Sequence, residues 1–137
     1  MKVAQIMNTD VFLTAPNRSI REAAETMQRM DVGSLPVGDG DRLIGMVTDR
    51  DIAIRAVAKG MNSETPVRDV MTQEIRYCFD DQDVDDVARN MAELQVRRLP
   101  VINRDKRLVG FVSLADFAHG ADNGATEELV RGVATPH

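Results

Sequence analysis

Aromatic residues and cysteine are scarce in this sequence, which has no tryptophan, one tyrosine and one cysteine. A single cysteine cannot form an internal disulfide, and no cysteine or histidine cluster lies near Cys78, so a buried structural thiol is favoured over a zinc ligand. No apolar run approaches the ~18 residues of a membrane span, and the N-terminus MKVAQIMNTD carries charge and amide groups where a signal peptide is apolar. We therefore expect a cytoplasmic protein with no membrane partner.

Charge of one sign is not concentrated anywhere in the chain. The formal net charge is −5 with acidic and basic residues interspersed, which disfavours DNA and anionic membranes as partners. Apolar residues make up 43% and charged residues 28% of the 137 residues, which is typical of one globular body or of two half-sized units that share a core. Eight methionines and 4% aromatics predict a core of aliphatic and thioether side chains.

The chain contains an internal repeat. A shift of 64 residues makes these pairs identical: Val3/Val67, Met7/Met71, Ala24/Ala88, Met27/Met91, Val32/Val96, Leu35/Leu99, Pro36/Pro100 and Val37/Val101. After position 37 a one-residue insertion in a turn changes the shift to 65, and these pairs follow: Arg42/Arg107, Leu43/Leu108, Gly45/Gly110, Val47/Val112 and Asp51/Asp116. A duplication explains the pattern. It predicts a first repeat at 1–62, a second at 63–120, and a tail at 121–137 that has no counterpart and can add a helical turn or two.

Each copy has the pattern strand, helix, strand, strand, helix, which predicts an α/β (α+β) fold built twice. Apolar residues recur at helical spacing in both copies: Ile20, Ala23, Ala24, Met27 and Met30, then Val84, Val87, Ala88, Met91 and Leu94. Strand-forming stretches at 11–16 and 75–81 precede these helices, and two strands around a turn follow each of them. A last helix is predicted from Thr48 to Gly60 and from Ser113 to Gly120. The remaining predicted segments are short helical turns at 3–7 and 67–71 and a linker at 61–66.

The most specific local pattern is GMVTDRD at 45–51, echoed by GFVSLAD at 110–116. One interpretation is helix capping, in which the Thr or Ser hydroxyl accepts from the third helical N–H and the acidic side chain lies in the positive first turn. The other is nucleotide binding, because a helix N-terminus with a hydroxyl can hold phosphate while a carboxylate accepts both hydroxyls of a ribose. From the residues alone, both interpretations stay open.

The segments VGSLPVGDGDRLIGMVTDRDI and VRRLPVINRDKRLVGFVSLADF resemble the C-terminal half of a CBS repeat, which has a Pro-Val strand, a turn, then Gly, two apolar residues, Thr or Ser, two residues and Asp. The resemblance spans nearly the whole chain, and two tandem repeats resemble a Bateman module, here similar to small stand-alone bacterial CBS-domain proteins. It implies two three-stranded sheets packed across a pseudo-two-fold axis, four helices outside and two clefts between the repeats. CBS pairs usually associate through their helices, so the resemblance also implies a homodimer.

The resemblance further implies a regulatory module that binds an adenosine compound in those clefts and signals to a partner. AMP, ADP and ATP are the expected ligands, with S-adenosylmethionine and NAD(H) ranked behind them, and no cofactor is required. The implied ligand-binding residues are Thr14, Pro16, Thr48, Arg50 and Asp51 in the first copy and Cys78, Arg98, Pro100, Ser113 and Asp116 in the second. In the family pattern the Thr or Ser lies near the phosphates, the Asp binds the ribose diol, and backbone groups around Thr14, Pro16, Cys78 and Pro100 meet the base.

The arginines are candidate phosphate cations, and the two copies place them differently. Arg50 lies two residues after Thr48 in the first copy, whereas the second copy has Ala115 there and depends on Arg97 or Arg98. These two arginines align with Gly33 and Ser34 of the first copy. The two clefts are therefore not expected to be equivalent. For the side chains of Pro36 and Pro100, a structural role at the start of a strand is favoured.

A second hypothesis is a ligand-free dimerisation or partner-docking module, in which the two aspartates only cap helices. No enzyme is expected, because HExxH, GxSxG and Walker motifs are missing and His119 and His137 have no nucleophile in sequence reach. The acidic run at 80–86 predicts a favourable first helical turn and no metal site, since it lacks the Gly and terminal Glu of a calcium loop. A sensor without a fused effector domain would need an unknown protein client.

Overall fold

The computed structural model describes residues 1–113 and 116–117. The chain separates into two compact units, and the mixed α/β architecture predicted from the sequence is confirmed. Phe12–Ile75 form the first-repeat unit, and Met1–Val11 together with the residues from Arg76 onward form the second-repeat unit. Each unit has its own apolar core. No helix among the described residues is long and apolar enough to cross a bilayer.

Helix α1 (Ile20–Met30) is the amphipathic helix predicted for the first copy. Ser19 begins it as the N-cap, and its hydroxyl accepts from the N–H of Glu22 at 3.1 Å. The helix ends where Asp31 adopts the left-handed conformation, with φ of 55°. Its buried side chains are Ile20, Ala23 and Met27, which belong to the core of the first-repeat unit. The 3.6-residue spacing in the sequence thus identified part of the buried face, whereas Ala24 and Met30, which share that spacing, are exposed.

The sheet of the first-repeat unit has two antiparallel strands, β1 (Ser34–Asp39) and β2 (Arg42–Thr48). Gly40 lies in the turn between them with φ of 63°, a conformation that favours glycine. The register shifts at Val37 and Gly38, so the pairing resumes one residue out of step. Both predicted strands and the turn between them are confirmed.

The predicted strand at 11–16 contributes much less than expected to this sheet. Thr14 makes a single parallel bridge to Val37, and no further residue of the stretch pairs with β1. The pairing stops because the chain turns at Pro16, which also has no N–H to donate to a ladder. The first-repeat unit therefore has two strands and a bridge where the resemblance implied three strands.

A helical segment of changing hydrogen-bond pattern follows β2. Helix α2 (Asp49–Asp51) continues as a π-helical turn (Ile52–Ala56) and then a 3₁₀ turn (Val57–Lys59). Thr48 is its N-cap, and Gly60 ends it with φ of 77°. The predicted start and end of this segment are confirmed, whereas its π-helical middle has no signature in the sequence.

The sheet of the second-repeat unit has three strands in the order β3 (Cys78–Phe79), β4 (Arg98–Ile102) and β5 (Leu108–Ser113). Strand β3 runs parallel to β4, and β5 runs antiparallel to it. The predicted strand at 75–81 is thus reduced to two paired residues. This unit has the three-stranded sheet that the resemblance implied.

Helix α3 (Val84–Leu94) is the amphipathic helix predicted for the second copy. It begins in the acidic run, with Asp83 as the N-cap residue and Asp85 and Asp86 in the first turn. Carboxylates are favourable there because the first turn carries a partial positive charge. The helix ends at Gln95, which is left-handed with φ of 56°. The acidic run therefore has the helical role expected from the sequence.

The last helix predicted for the second copy falls largely outside the described residues. Asp116 and Phe117 are helical, and Phe117 is fully buried in the core of the second-repeat unit. The continuation to Gly120 and the tail at 121–137 lie outside the described residues, so the structure predicted for them stays a prediction.

Each leading turn belongs to the unit of the other repeat. The 3₁₀ turn Val3–Gln5 lies in the second-repeat unit, and the 3₁₀ turn Val67–Asp69 lies in the first-repeat unit. Val3 and Val67 are both fully buried in these cores. The helical turns predicted at these positions are confirmed. Because each valine is buried in the core formed mainly by the other repeat, the compact units do not coincide with the sequence repeats.

Candidate functional site

The first candidate site lies where β2 ends and α2 begins. The N–H of Thr48 donates to Oδ2 of Asp51 at 3.0 Å, and the N–H of Asp51 donates to Oγ1 of Thr48 at 3.0 Å. This reciprocal pair is the capping box that the motif indicated. The Asp51 side chain is 16% exposed, and Nε of Arg55 lies 3.8 Å from its other oxygen, Oδ1. The cap therefore uses one carboxylate oxygen and leaves the other to a weaker ionic contact.

The second candidate site lies at the end of β5 and repeats this arrangement with one difference. The N–H of Ser113 donates to Oδ2 of Asp116 at 2.8 Å, and the Ser113 hydroxyl donates to the same oxygen at 3.1 Å. The hydroxyl here donates to the carboxylate, whereas that of Thr48 accepts from the backbone. In both sites the capping hydrogen bonds that the aspartate accepts are made by its Oδ2 atom.

These contacts define what the two aspartates can still bind. A carboxylate has about four acceptor positions on its two oxygens. In Asp51 and Asp116 the cap fixes the orientation of the group through Oδ2. Oδ1 can then accept further hydrogen bonds without the side chain having to move. Such a group suits a ligand with two adjacent hydroxyls, so the capping and binding interpretations are compatible.

A stacked arginine distinguishes the second site. Arg98 is paired across the sheet with Ser113, and its Cζ atom lies 4.1 Å from the centre of the Phe111 ring. This distance is that of a cation–π contact. Burial lowers the pKa of Arg98, and the negative charge of Asp116 acts in the opposite direction. The sequence-predicted cation is thus brought into the electrostatic range of the sequence-predicted carboxylate.

Phe111 was not identified as a site residue from the sequence. It faces Pro100 across the sheet, two residues along from the Arg98–Ser113 pair, so its ring is a diagonal neighbour of Arg98 on the same face. The register needed to see this is a property of the folded sheet. A signal was nevertheless present, because the repeat aligns Phe111 with Met46 and shows that the two copies differ there.

The other predicted residues of the first copy have different surroundings. Thr14 is buried, its N–H donates to the Pro36 carbonyl at 2.9 Å, and its own carbonyl accepts from the N–H of Gly38 at 2.9 Å. The carbonyl of Pro16 accepts a hydrogen bond from the N–H of Arg68, which lies in the 3₁₀ turn Val67–Asp69. Arg50 is exposed, and its side chain makes no ion pair within the described part of the chain. Thr14 is therefore fixed to the sheet, whereas Arg50 is unrestrained.

The two remaining predicted residues of the second copy are buried. Cys78 pairs with Val101 in the parallel ladder, and burial, with a smaller effect of the Asp80 charge, raises the pKa of its thiol from 9.0 to about 12. Pro100 is buried opposite Phe111. The prediction of a buried structural thiol is confirmed. Neither side chain presents a polar group to a ligand, so any contact with the base would involve their backbone.

Asp81 of the acidic run forms a bidentate ion pair. Asp81 accepts two hydrogen bonds from Arg104, each of 2.8 Å, and these hold the pKa of Asp81 below its ordinary value. The same guanidinium lies 3.9 Å from the centre of the Phe79 ring. Among residues 1–113 and 116–117 no three metal-ligating side chains come together.

A pocket of about 230 Å³ opens in the first-repeat unit beside α1. Its lining residues are Ala24, Met27, Gln28, Val32, Asp49 and Ile52. It includes the first residue of α2 but neither Thr48 nor Asp51. The pocket is therefore distinct from the pair of residues that the sequence motif identifies.

Comparison with known proteins identifies the class of this protein. The CBS domain family model matches residues 3–57 and 67–121, and the chain belongs to this family. It is 41% identical over 116 residues to the CBS domain-containing protein YhcV of Bacillus subtilis, a match that covers 85% of this chain and 82% of YhcV. It is also 37% identical over 133 residues to Hypoxic response protein 1 of Mycobacterium tuberculosis, covering 96% of this chain and 92% of that protein.

Solved structures with the same fold hold different ligands. A structure of Hypoxic Response Protein I with two coordinated zinc ions has a TM-score of 0.74 and 38% identity, covering 86% of this chain and 97% of that one. The CBS domain pair of MJ0100 in complex with 5-methylthioadenosine and S-adenosyl-L-methionine has a TM-score of 0.68 and 29% identity, with coverages of 86% and 93%. CBSX2 in complex with AMP has a TM-score of 0.71 and 26% identity, with coverages of 85% and 93%.

Proposed function

We propose that this chain is a regulatory CBS module that binds an adenine nucleotide of the AMP, ADP and ATP class and signals to a protein partner. One ligand binds at the Thr48–Asp51 pair and another at the Ser113–Asp116 pair. The observation that carries this proposal is the duplicated aspartate whose Oδ2 is held by the cap while Oδ1 makes none of the capping bonds. A cytoplasmic location and the absence of catalysis belong to the same proposal.

The organic ligands named for two of the similar structures share one chemical group. AMP, 5-methylthioadenosine and S-adenosylmethionine are the ligands named for two CBS structures similar to this chain, and all three contain adenosine. Adenosine brings a ribose with two adjacent hydroxyls, both of which can donate to one carboxylate. The oriented carboxylates of Asp51 and Asp116 match that requirement. The common part of these ligands is thus the part that the two sites can hold.

Phosphate recognition would depend on the arginines. Arg98 is already stacked beside the Ser113–Asp116 pair, and Arg50 follows Thr48 with an exposed side chain. Guanidinium groups bind phosphate oxygens through charge-assisted hydrogen bonds. These two cations are the reason that we rank the nucleotides ahead of S-adenosylmethionine. Zinc is not part of the proposal for this chain.

A second candidate function is ligand-free dimerisation or partner docking. Three large apolar side chains on or just after the helical segment that follows β2 are exposed: Ile54 by 52%, Val57 by 66% and Met61 by 41%. Clustered exposed apolar side chains are typical of surfaces that bind other proteins. A homodimer through this surface is compatible with nucleotide binding. Sedimentation velocity of Ile54→Ser and Val57→Ser tests it, with a dimer reduced to monomer as the expected result.

Thermal unfolding of the purified chain with about 1 mM AMP, ADP, ATP, S-adenosylmethionine or NADH tests the proposed ligand. A ligand at about 100 times its Kd stabilises the folded state by roughly 2.7 kcal/mol. This raises the Tm of a chain of this length by several degrees. We expect such a shift with at least one adenine nucleotide, and its loss in the variant with both Asp51→Ala and Asp116→Ala.

The control must separate capping from binding, because each aspartate also stabilises its helix. Ser19→Ala removes a comparable cap from α1, which no ligand is proposed to contact. We expect Ser19→Ala to lower the Tm without ligand and to keep the full ligand-induced shift. A shift unchanged by the double aspartate substitution would contradict the proposed sites. No shift with any nucleotide would favour the ligand-free module.

A further inference from the structure

The two units differ at the position directly across the sheet from the capping hydroxyl. In the second-repeat unit Arg98 is paired with Ser113, whereas in the first-repeat unit Ser34 is paired with Thr48. The register of the two sheets is the same here, so the comparison is between equivalent positions. One unit therefore has a cation on the strand beside its site, and the other has a small neutral side chain.

The next cross-strand pair on the same face also differs between the units, with Phe111 opposite Pro100 in one and Met46 opposite Pro36 in the other. Phe111 lies under the guanidinium of Arg98 at 4.1 Å, and the equivalent residue of the first-repeat unit is Met46. A planar guanidinium over an aromatic ring is restricted in its orientation, whereas an exposed arginine samples many rotamers. Arg98 is therefore positioned before any ligand arrives. The cation and the ring that holds it are both confined to the second copy.

The cations of the first-repeat unit do not replace Arg98. The Nε atom of Arg55 lies 3.8 Å from Oδ1 of Asp51. Its NH1 group donates to the carbonyls of Val70 and Met71, each at 3.4 Å, so the guanidinium is already bonded within the first-repeat unit. Arg50 is exposed and would have to be ordered by a ligand, at the cost of side-chain entropy. The two sites thus offer a phosphate very different cations.

We propose that Phe111 is a positioning residue that holds Arg98 against the phosphate of a nucleotide at the Ser113–Asp116 pair, so that this site selects phosphorylated over unphosphorylated adenosine. The first-repeat site binds adenosine compounds with little dependence on the phosphate. This inference rests on the proposed function and adds a distinct ligand preference for each of the two sites.

Calorimetric titration of the full-length chain with AMP and with adenosine tests the inference one site at a time. Asp51→Ala isolates the second-repeat site, and Asp116→Ala isolates the first-repeat site. We expect the isolated second-repeat site to bind AMP at least about tenfold more tightly than adenosine, because a charge-assisted contact contributes at least that factor. Adding Arg98→Ser should remove this preference while leaving the affinity for adenosine unchanged.

The role of the ring is tested by three further variants in the same background. Phe111→Leu should weaken AMP binding by several fold without affecting adenosine, and Phe111→Tyr should restore it, because the tyrosine ring can still hold the guanidinium. Arg98→Lys keeps the charge but not the planar stack, so it should recover only part of the preference. A general loss of packing would weaken both ligands equally, and this readout distinguishes it from positioning.

A transplant into the first-repeat site provides the opposite test. In the Asp116→Ala background, Ser34→Arg with Met46→Phe should create a preference for AMP that the single Asp116→Ala variant lacks. Equal binding of AMP and adenosine at the isolated second-repeat site, with no effect of Arg98→Ser, would overturn the inference and leave the proposed function standing. No binding of either ligand by the unaltered chain would overturn both.

Discussion

Asn8 and Phe111 are joined by a reciprocal pair of backbone hydrogen bonds. The N–H of Asn8 donates to the Phe111 carbonyl at 2.8 Å, and the N–H of Phe111 donates to the Asn8 carbonyl at 2.9 Å. Thr72 and Met46 form the corresponding pair in the first-repeat unit, at 2.9 Å in both directions. Each leading segment is therefore fixed to the strand that ends in a candidate site, two residues before the capping hydroxyl.

Truncating a leading valine should destabilise the unit that the segment completes. Val3 is fully buried in the core of the second-repeat unit, so Val3→Ala removes two buried methyl groups and leaves a cavity. We expect the free energy of unfolding to fall by about 2 kcal/mol, measured by urea denaturation. Val11→Ala, on the same segment but partly exposed, is the control and should cost less than about 0.5 kcal/mol. Equal effects of the two substitutions would show that the segment is not docked.

A methyl group at position 110 should weaken the contact between β5 and the leading segment. A Cβ on Gly110 would lie 2.8 Å from the Asn8 carbonyl oxygen and 2.8 Å from Sδ of Met7. The methionine can move, but the paired backbone of Asn8 cannot, so Gly110→Ala should cost about 1–3 kcal/mol in the free energy of unfolding.

Gly33→Ala is the matched control for that substitution. The atoms nearest to its Cβ would belong to the flexible side chain of Asp49, the first at 3.2 Å, so it should cost clearly less than Gly110→Ala. Hydrogen exchange should locate the effect of Gly110→Ala at Asn8. Unchanged exchange at Asn8 in Gly110→Ala would contradict this account of the segment.

The hydroxyl of Thr48 should contribute to stability without any ligand. Thr48→Ala removes the acceptor for the Asp51 N–H and should lower the free energy of unfolding by about 1 kcal/mol. Thr48→Ser keeps the hydroxyl and should retain most of that stability. Both are measured by urea denaturation in nucleotide-free buffer. If the two variants were equally stable, the hydroxyl would have no capping role.

The burial of Cys78 predicts a loss of stability at alkaline pH. Burial raises the pKa of the thiol to about 12 from an ordinary value of 9.0. Between these values the unfolded chain has released a proton that the folded chain retains. The contribution of the protonated thiol to the free energy of unfolding is therefore complete below pH 9 and declines as the pH rises towards 12. Urea denaturation at about pH 8 and about pH 10.5 should show a larger decline for the unaltered chain than for Cys78→Ala. The same decline in both proteins would assign the effect to other groups.

Much of the fold could be predicted because the responsible patterns are local. Helices α1 and α3 follow from apolar residues at helical spacing, and Gly40 and Gly60 mark a turn and a helix end that need left-handed backbone. The capping pairs follow from a hydroxyl and a carboxylate three residues apart. These features depend on interactions within a few residues of the chain.

The features that were missed depend on contacts between distant parts of the chain. Val3 and Val67 are equivalent in the repeat, so the sequence does not show that each is buried in the unit of the other copy. The stack of Arg98 on Phe111 requires the register of β4 and β5. The first strand is shortened by the turn that the folded chain makes at Pro16, and the sequence does not show where that turn falls.

A crystal structure of the chain with AMP at saturating concentration tests the central claim most directly. The account predicts the ribose hydroxyls of the bound nucleotide within hydrogen-bond distance of the carboxylate of Asp51, of Asp116, or of both, with both capping pairs still formed. AMP bound elsewhere on the chain, or crystals that remain free of nucleotide at that concentration, would contradict it.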